Sequence, residues 1–123
     1  MEKLVNFLAV GLGGAIGSMM RYGITLMCAA LSWSGNIGTM MVNVIGSFAI
    51  GFLSGSVKEG TLLLLLTVGL CGGFTTFSTF SLQSVRLFQD GKIGALVLYV
   101  LGSVSLCILA AALGYFLAGR KLL

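Results

Sequence analysis

The sequence contains no histidine and no proline, and only three acidic residues, Glu2, Glu59 and Asp90, stand against seven lysines and arginines. Each shortage excludes something. Without histidine, and with Cys28, Cys71 and Cys107 scattered through apolar stretches at no paired spacing, there is no cysteine/histidine metal set, and the cysteines read as small buried hydrophobes. Without proline, a break in any helix falls to glycine, helped by weak helix formers such as threonine. Charged residues make up 8% of the chain and hydrophobic ones 58%, with a mean hydropathy of +1.11, which is too apolar for a soluble domain of 123 residues. The bases behind the net charge of +4 form no block, so nucleic acid is not an expected partner.

What remains is a membrane protein. A spanning helix needs roughly 20 apolar residues, and the chain accommodates four: about Leu4–Ala30, Gly38–Ser56, Thr61–Arg86 and Ile93–Ala118. Residues 1–123 thus read as one four-helix transmembrane domain in the lipid bilayer. The first segment outruns the apolar core of a signal peptide and reads as a retained helix. Trp33 in the first link suits an interfacial aromatic, Asp90-Gly91 marks a turn, and the tail GRKLL reads as a basic, solvated end.

Polarity inside the spans is selective. In the first, Gly13 and Gly17 form a GxxxG pair that permits close backbone approach. Arg21 lies several residues inside the apolar run, where a charge costs on the order of 2.5–3.5 kcal/mol unless it snorkels, pairs or faces water. Both a snorkelling positioner and an anion-attracting vestibule residue fit it. In the second span Thr39, Asn43 and Ser47 share one helix face, compatible with helix-to-helix hydrogen bonding or with a pore lining. The third carries GLCGGFTTFSTFSLQS over Gly69–Ser84, combining Gly72-Gly73 with hydroxyls at Thr75, Thr76, Ser78, Thr79 and Ser81 and with Phe74, Phe77 and Phe80. A helix broken between Gly72 and Ser78 is expected, since freed backbone groups at that depth are tolerated only in protein or facing water. In the fourth span Tyr99, Ser103 and Cys107 recur every fourth residue along one stripe.

The acids all sit at ends or links, so no span contains a carboxylate or an imidazole. Proton-coupled carriers place titrating groups in the membrane, and cation pores use acidic rings. The interior instead offers donors: Asn43, Thr39, Thr75, Thr76, Ser78, Thr79, Ser103, Tyr99 and Arg21. Phenylalanine adds the positive edge of its ring. Small anions could pass such a lining without being held, as conduction requires. Lys3, Lys58, Arg120 and Lys121 fall on one side and Arg86 and Lys92 on the other, with Arg21 near the latter. That is a weak positive-inside bias, compatible with insertion in both orientations, and one small bundle leaves little room for a hydrated pore of its own.

GGAIGSMMRY in the first span, GTMMVNVIGSF in the second and GGFTTFSTFS in the third resemble, in order and spacing, the motifs of the bacterial fluoride channels called Fluc or CrcB. The resemblance covers essentially the whole chain, and the third motif is its most specific part. It implies an antiparallel, dual-topology homodimer in the bacterial cytoplasmic membrane, with two pores that passively export fluoride. It also implies a structural sodium ion at the dimer centre, held by main-chain carbonyls that match Gly72 and Thr75. The family's pore phenylalanines match Phe77 and Phe80, its asparagine Asn43, its vestibule arginine Arg21, and its fourth-helix polar track Tyr99 and Ser103. Cys107 stands where that track would carry a hydroxyl. The leading expectation is therefore a fluoride-selective channel and not an enzyme. The rivals are a small multidrug-type secondary transporter, disfavoured by the missing membrane carboxylate, and an assembly subunit whose small residues only pack helices.

Overall fold

The computed structural model describes residues 1–121, so Leu122 and Leu123 of the GRKLL tail lie outside the described residues. It contains four helices long and apolar enough to cross a membrane, the third of them interrupted. Helix α1 is Glu2–Ala30 and α2 is Gly35–Ser56. The third span comprises α3 (Thr61–Leu64), a π-helical segment (Leu65–Cys71), α4 (Gly72–Phe74) and α5 (Phe77–Gln89). Helix α6 is Ile93–Leu117. The links are short. Ser34 caps α2 by accepting from the Asn36 N–H at 3.2 Å, and Gly91, at φ 72°, supplies the left-handed residue of the Asp-Gly turn before α6.

Two pairings organise the bundle. Helix α1 lies along the first half of the third span, and α2 lies along α6. Small residues make both close. A Cβ on Gly13 would run into the Leu65 carbonyl and one on Gly17 into the Leu70 carbonyl, while Gly73 meets the backbone of Gly14. On the other pair, Gly51 abuts the Ala111 carbonyl and Gly114 the Phe48 carbonyl. In lipid, where apolar burial drives little association, such backbone approach and its dispersion contacts hold helices together. The core is correspondingly small, made of Cys28, Val42, Cys71, Phe74, Phe80 and Tyr99.

The third span departs from a plain helix twice. Thr67 Oγ1 donates to the Leu63 carbonyl at 2.7 Å, an i−4 back-bond that competes for a helix carbonyl, within the π-helical segment. Further on, the chain becomes extended at Thr75 (φ −85°, ψ 161°) and Thr76 (φ −150°, ψ 113°). The break thus falls on the β-branched threonines. The glycines expected to make it, Gly72 and Gly73, are helical, and Gly73 serves the approach to α1.

Candidate polar pathway and helix break

The break is held by side chains from the neighbouring spans. Asn43, midway along α2, takes both backbone groups of Thr76: its Oδ1 accepts the Thr76 N–H at 2.7 Å and its Nδ2 donates to the Thr76 carbonyl at 3.1 Å. Arg21 Nε, from α1, donates to the Gly73 carbonyl at 3.1 Å. Thr76 Oγ1 caps α5 by accepting the Thr79 N–H at 3.2 Å and also bonds the Thr79 hydroxyl at 3.1 Å. Ser78 Oγ lies 3.3 Å from the same Thr76 oxygen.

The break takes the helical partner from the carbonyls of Gly72, Gly73, Phe74 and Thr75, of which Arg21 serves that of Gly73. In an unbroken helix the Thr76 N–H would serve Gly72 and the Thr79 N–H would serve Thr75; here the first goes to Asn43 and the second to Thr76 Oγ1. The Gly72 and Thr75 oxygens are thus without their helical partners inside an apolar span. Neutral carbonyl oxygens without a carboxylate suit a hard cation of low charge, the chemistry of the sodium ion that the family resemblance implies.

Beside the break lies a cavity of about 350 Å³, walled by α2 (Asn43, Ser47), the third span (Thr75, Phe77, Phe80) and α6 (Ser103, Cys107), among others. Phe77 and Phe80 sit one turn apart with ring centroids 5.5 Å apart and planes tilted by 50°, and Phe80 tilts by 47° against Tyr99 at 5.2 Å. Tilted pairs bring the positive edge of one ring toward the face of the next. Phe80 is buried while Phe77 is 76% exposed. Ser103 is buried, lines the cavity, and its Oγ has no hydrogen-bond partner among the described residues. A buried hydroxyl of that kind normally has one.

Toward the α1–α2 and α5–α6 links, a second and more polar pocket of about 360 Å³ is lined by Ser34, Asn36, Gln83, Arg86, Asp90 and Lys92 together with Gly35 and Leu87. Gln83 joins the two regions, since its Oε1 accepts from Tyr99 Oη at 2.6 Å. Nothing in the sequence singled Gln83 out. The signal was its place one turn beyond Phe80 on the same helix face, at i+3.

The residues expected from sequence fall into three groups. Asn43, Gly72, Thr75, Phe77, Phe80, Ser103 and Cys107 share the cavity. Tyr99 and the buried Thr39 lie outside its lining, Tyr99 against Phe80. Ser78 and Thr79 also lie outside it, occupied around the α5 cap, and Arg21 is engaged at the break. Among the described residues no group of three histidine, cysteine or acidic side chains could hold a metal.

A four-span bundle with a side-chain-clamped break in its third span, beside a largely apolar cavity with a few polar side chains and no carboxylate in its lining, is a small polytopic membrane protein of a kind suited to a channel. The chain belongs to the CrcB family: the profile of "CrcB-like protein, Camphor Resistance (CrcB)" matches residues 8–115. It is 42% identical over 124 residues to a fluoride-specific ion channel of Ruminiclostridium cellulolyticum, covering 96% of this chain and 95% of that protein. Similar channels from Methylobacterium sp. (44% identity, 91% of this chain, 94% of the relative) and Thermus thermophilus (43%, 93% and 94%) match as well.

Proposed function

We propose that this protein is a fluoride-selective channel of the bacterial cytoplasmic membrane, a multi-pass protein that lets fluoride leave the cell passively and carries out no catalysis. The observation that carries the reading is Ser103, buried in the wall of a cavity that also holds Asn43 and the Phe77–Phe80 pair, with its hydroxyl unpartnered among the described residues and no acidic side chain in the lining. Its relatives at 42–44% identity are fluoride-specific channels.

In this reading Ser103 Oγ–H donates to the anion, and the edges of Phe77 and Phe80 carry it across the apolar mid-section. Ring edges attract without a formal charge, so the ion is stabilised enough to enter and weakly enough to leave. Tyr99 and Thr39 extend the donor line beyond Phe80, and Arg21 contributes positive potential at its end of α1. Ser78 and Thr79 line the approach only after their bonds to Thr76 Oγ1 rearrange.

Two subunits, inserted in opposite orientations, complete the pathway. The part of Phe77 that is open in the single chain, 76% exposed beside the cavity, would then be covered by the second copy. Sodium, held by the Gly72 and Thr75 carbonyls of both copies, would neutralise the carbonyl dipoles that the breaks leave unpaired. Liposomes loaded with potassium fluoride and reconstituted with the protein test the reading: valinomycin should trigger rapid fluoride efflux with no matching chloride efflux. Efflux driven by a pH gradient instead of voltage would overturn it.

A further inference from the structure

The cavity holds two groups that the anion pathway does not use. Cys71, at the end of the π-helical segment, and Cys107, on α6, are free thiols, and both line it. The π-helical segment and α6 both contact α2, and the two cysteine residues line one space of about 350 Å³ from different elements. Ile50, Val104 and Ile108 supply the apolar lining around them, and no carboxylate competes. Ser103, only 5% exposed and with its hydroxyl unpartnered among the described residues, lines the same space one turn before Cys107.

We propose that this cavity is a binding site for a soft, thiophilic d10 cation of the Hg(II), Ag(I) or Cu(I) class, held between Cys71 Sγ and Cys107 Sγ. Sulfur ligands select such ions over hard ones, and two sulfurs satisfy their preference for low coordination. The thiolate is the ligand, so for a divalent ion two S–H bonds break, two metal–sulfur bonds form and two protons pass to water, with no electron transferred. The product fills the space beside Ser103 and Phe80, and the anion path is blocked. The blocking rests on the channel reading above; the binding does not.

Mercuric chloride is the probe, added to the reconstituted Cys28→Ala protein. Cys28 lies against Gly38, away from the cavity, so its removal leaves only the two thiols in question. The expected result is one mercury retained per chain, near-ultraviolet thiolate-to-mercury absorption, two sulfur neighbours by X-ray absorption, and fluoride efflux stopped until dithiothreitol is added. Adding Cys71→Ser or Cys107→Ser should weaken retention by about 100-fold or more, beyond the usual effect of an outer-shell partner. A single sulfur neighbour, or retention undiminished in both serine variants, overturns the site, and the X-ray measurement needs no variant to fold. Bound mercury with undiminished fluoride flux overturns the blockade. Mercury bound by a protein that never passed fluoride overturns the channel reading and leaves the site standing.

Discussion

Asn43 closes a two-point clamp on Thr76, accepting its N–H at 2.7 Å and donating to its carbonyl at 3.1 Å. One amide side chain thus replaces the helical partner that the N–H of an extended residue gives up in the middle of an apolar span, and adds a second donor to its carbonyl. An unmet buried polar group costs about 1–3 kcal/mol, so the clamp decides whether the break can exist. Asn43→Leu should lower the unfolding midpoint of the detergent-purified protein sharply and abolish fluoride flux. Asn43→Asp keeps the acceptor for the Thr76 N–H but loses the donor and places a negative charge in the anion's cavity. Its flux should fall with the smaller stability loss of the two, and equal stability loss in both would show that the clamp's acceptor half is unimportant.

Gly17 stands against the Leu70 carbonyl and the Phe74 N–H of the third span, whereas Gly11 on the same helix has nothing within 4 Å of an added Cβ. Gly17→Ala must push two backbones apart, an overpacking cost of roughly 1–3 kcal/mol or more. Gly11→Ala should gain up to about 1 kcal/mol of helix propensity. Thermal unfolding of the two variants in the same detergent checks this, and similar shifts would mean that α1 does not dock on the third span through its glycines.

Gln83 and Tyr99 share the 2.6 Å bond that links the polar pocket near the links to the buried ring of Phe80. Removing one partner strands the other, while removing both leaves neither unsatisfied. Gln83→Leu and Tyr99→Phe should each destabilise, and the double variant should lose less than the sum, with a coupling of about 0.5–1.5 kcal/mol. Flux in Gln83→Leu should fall below that of Tyr99→Phe, because leucine also closes the mouth of the pocket. An additive cycle would show that the pair does not interact in the membrane.

Composition and hydropathy made the four spans legible, and the mixture of glycine, threonine and phenylalanine after Gly69 marked where the third would fail. What the pattern could not assign was the division of labour inside that motif. Glycine can serve free dihedrals or close approach, and only the packing partner decides; Gly73 against Gly14 is approach, which left the extended conformation to Thr75 and Thr76. The shared face of Thr39, Asn43 and Ser47 followed from helical spacing, but that Asn43 reaches another span's backbone depends on a tertiary contact between residues 33 apart. The π-helical segment was invisible for the same reason, since Leu-rich sequence propagates an ordinary helix unless packing and the Thr67 back-bond widen it.

Arg21 presents two properties that substitution can separate, a fixed positive charge and a directed bond from Nε to the Gly73 carbonyl at 3.1 Å. Lysine keeps the charge but has neither the planar fork nor a donor at the Nε position. Arg21→Lys should therefore lose about 1.5–3 kcal/mol, the worth of a hydrogen bond to a charged group, with most of the flux retained. Arg21→Gln removes the charge and keeps an amide donor on a shorter stem. Its flux should lie below the parent's at low ionic strength, and the gap should close as salt screens the parent's long-range attraction for anions. Unfolding midpoints and efflux rates at two salt concentrations distinguish the roles. A lysine variant as stable as the parent would exclude the bond, and a glutamine variant with a salt-independent deficit would exclude steering.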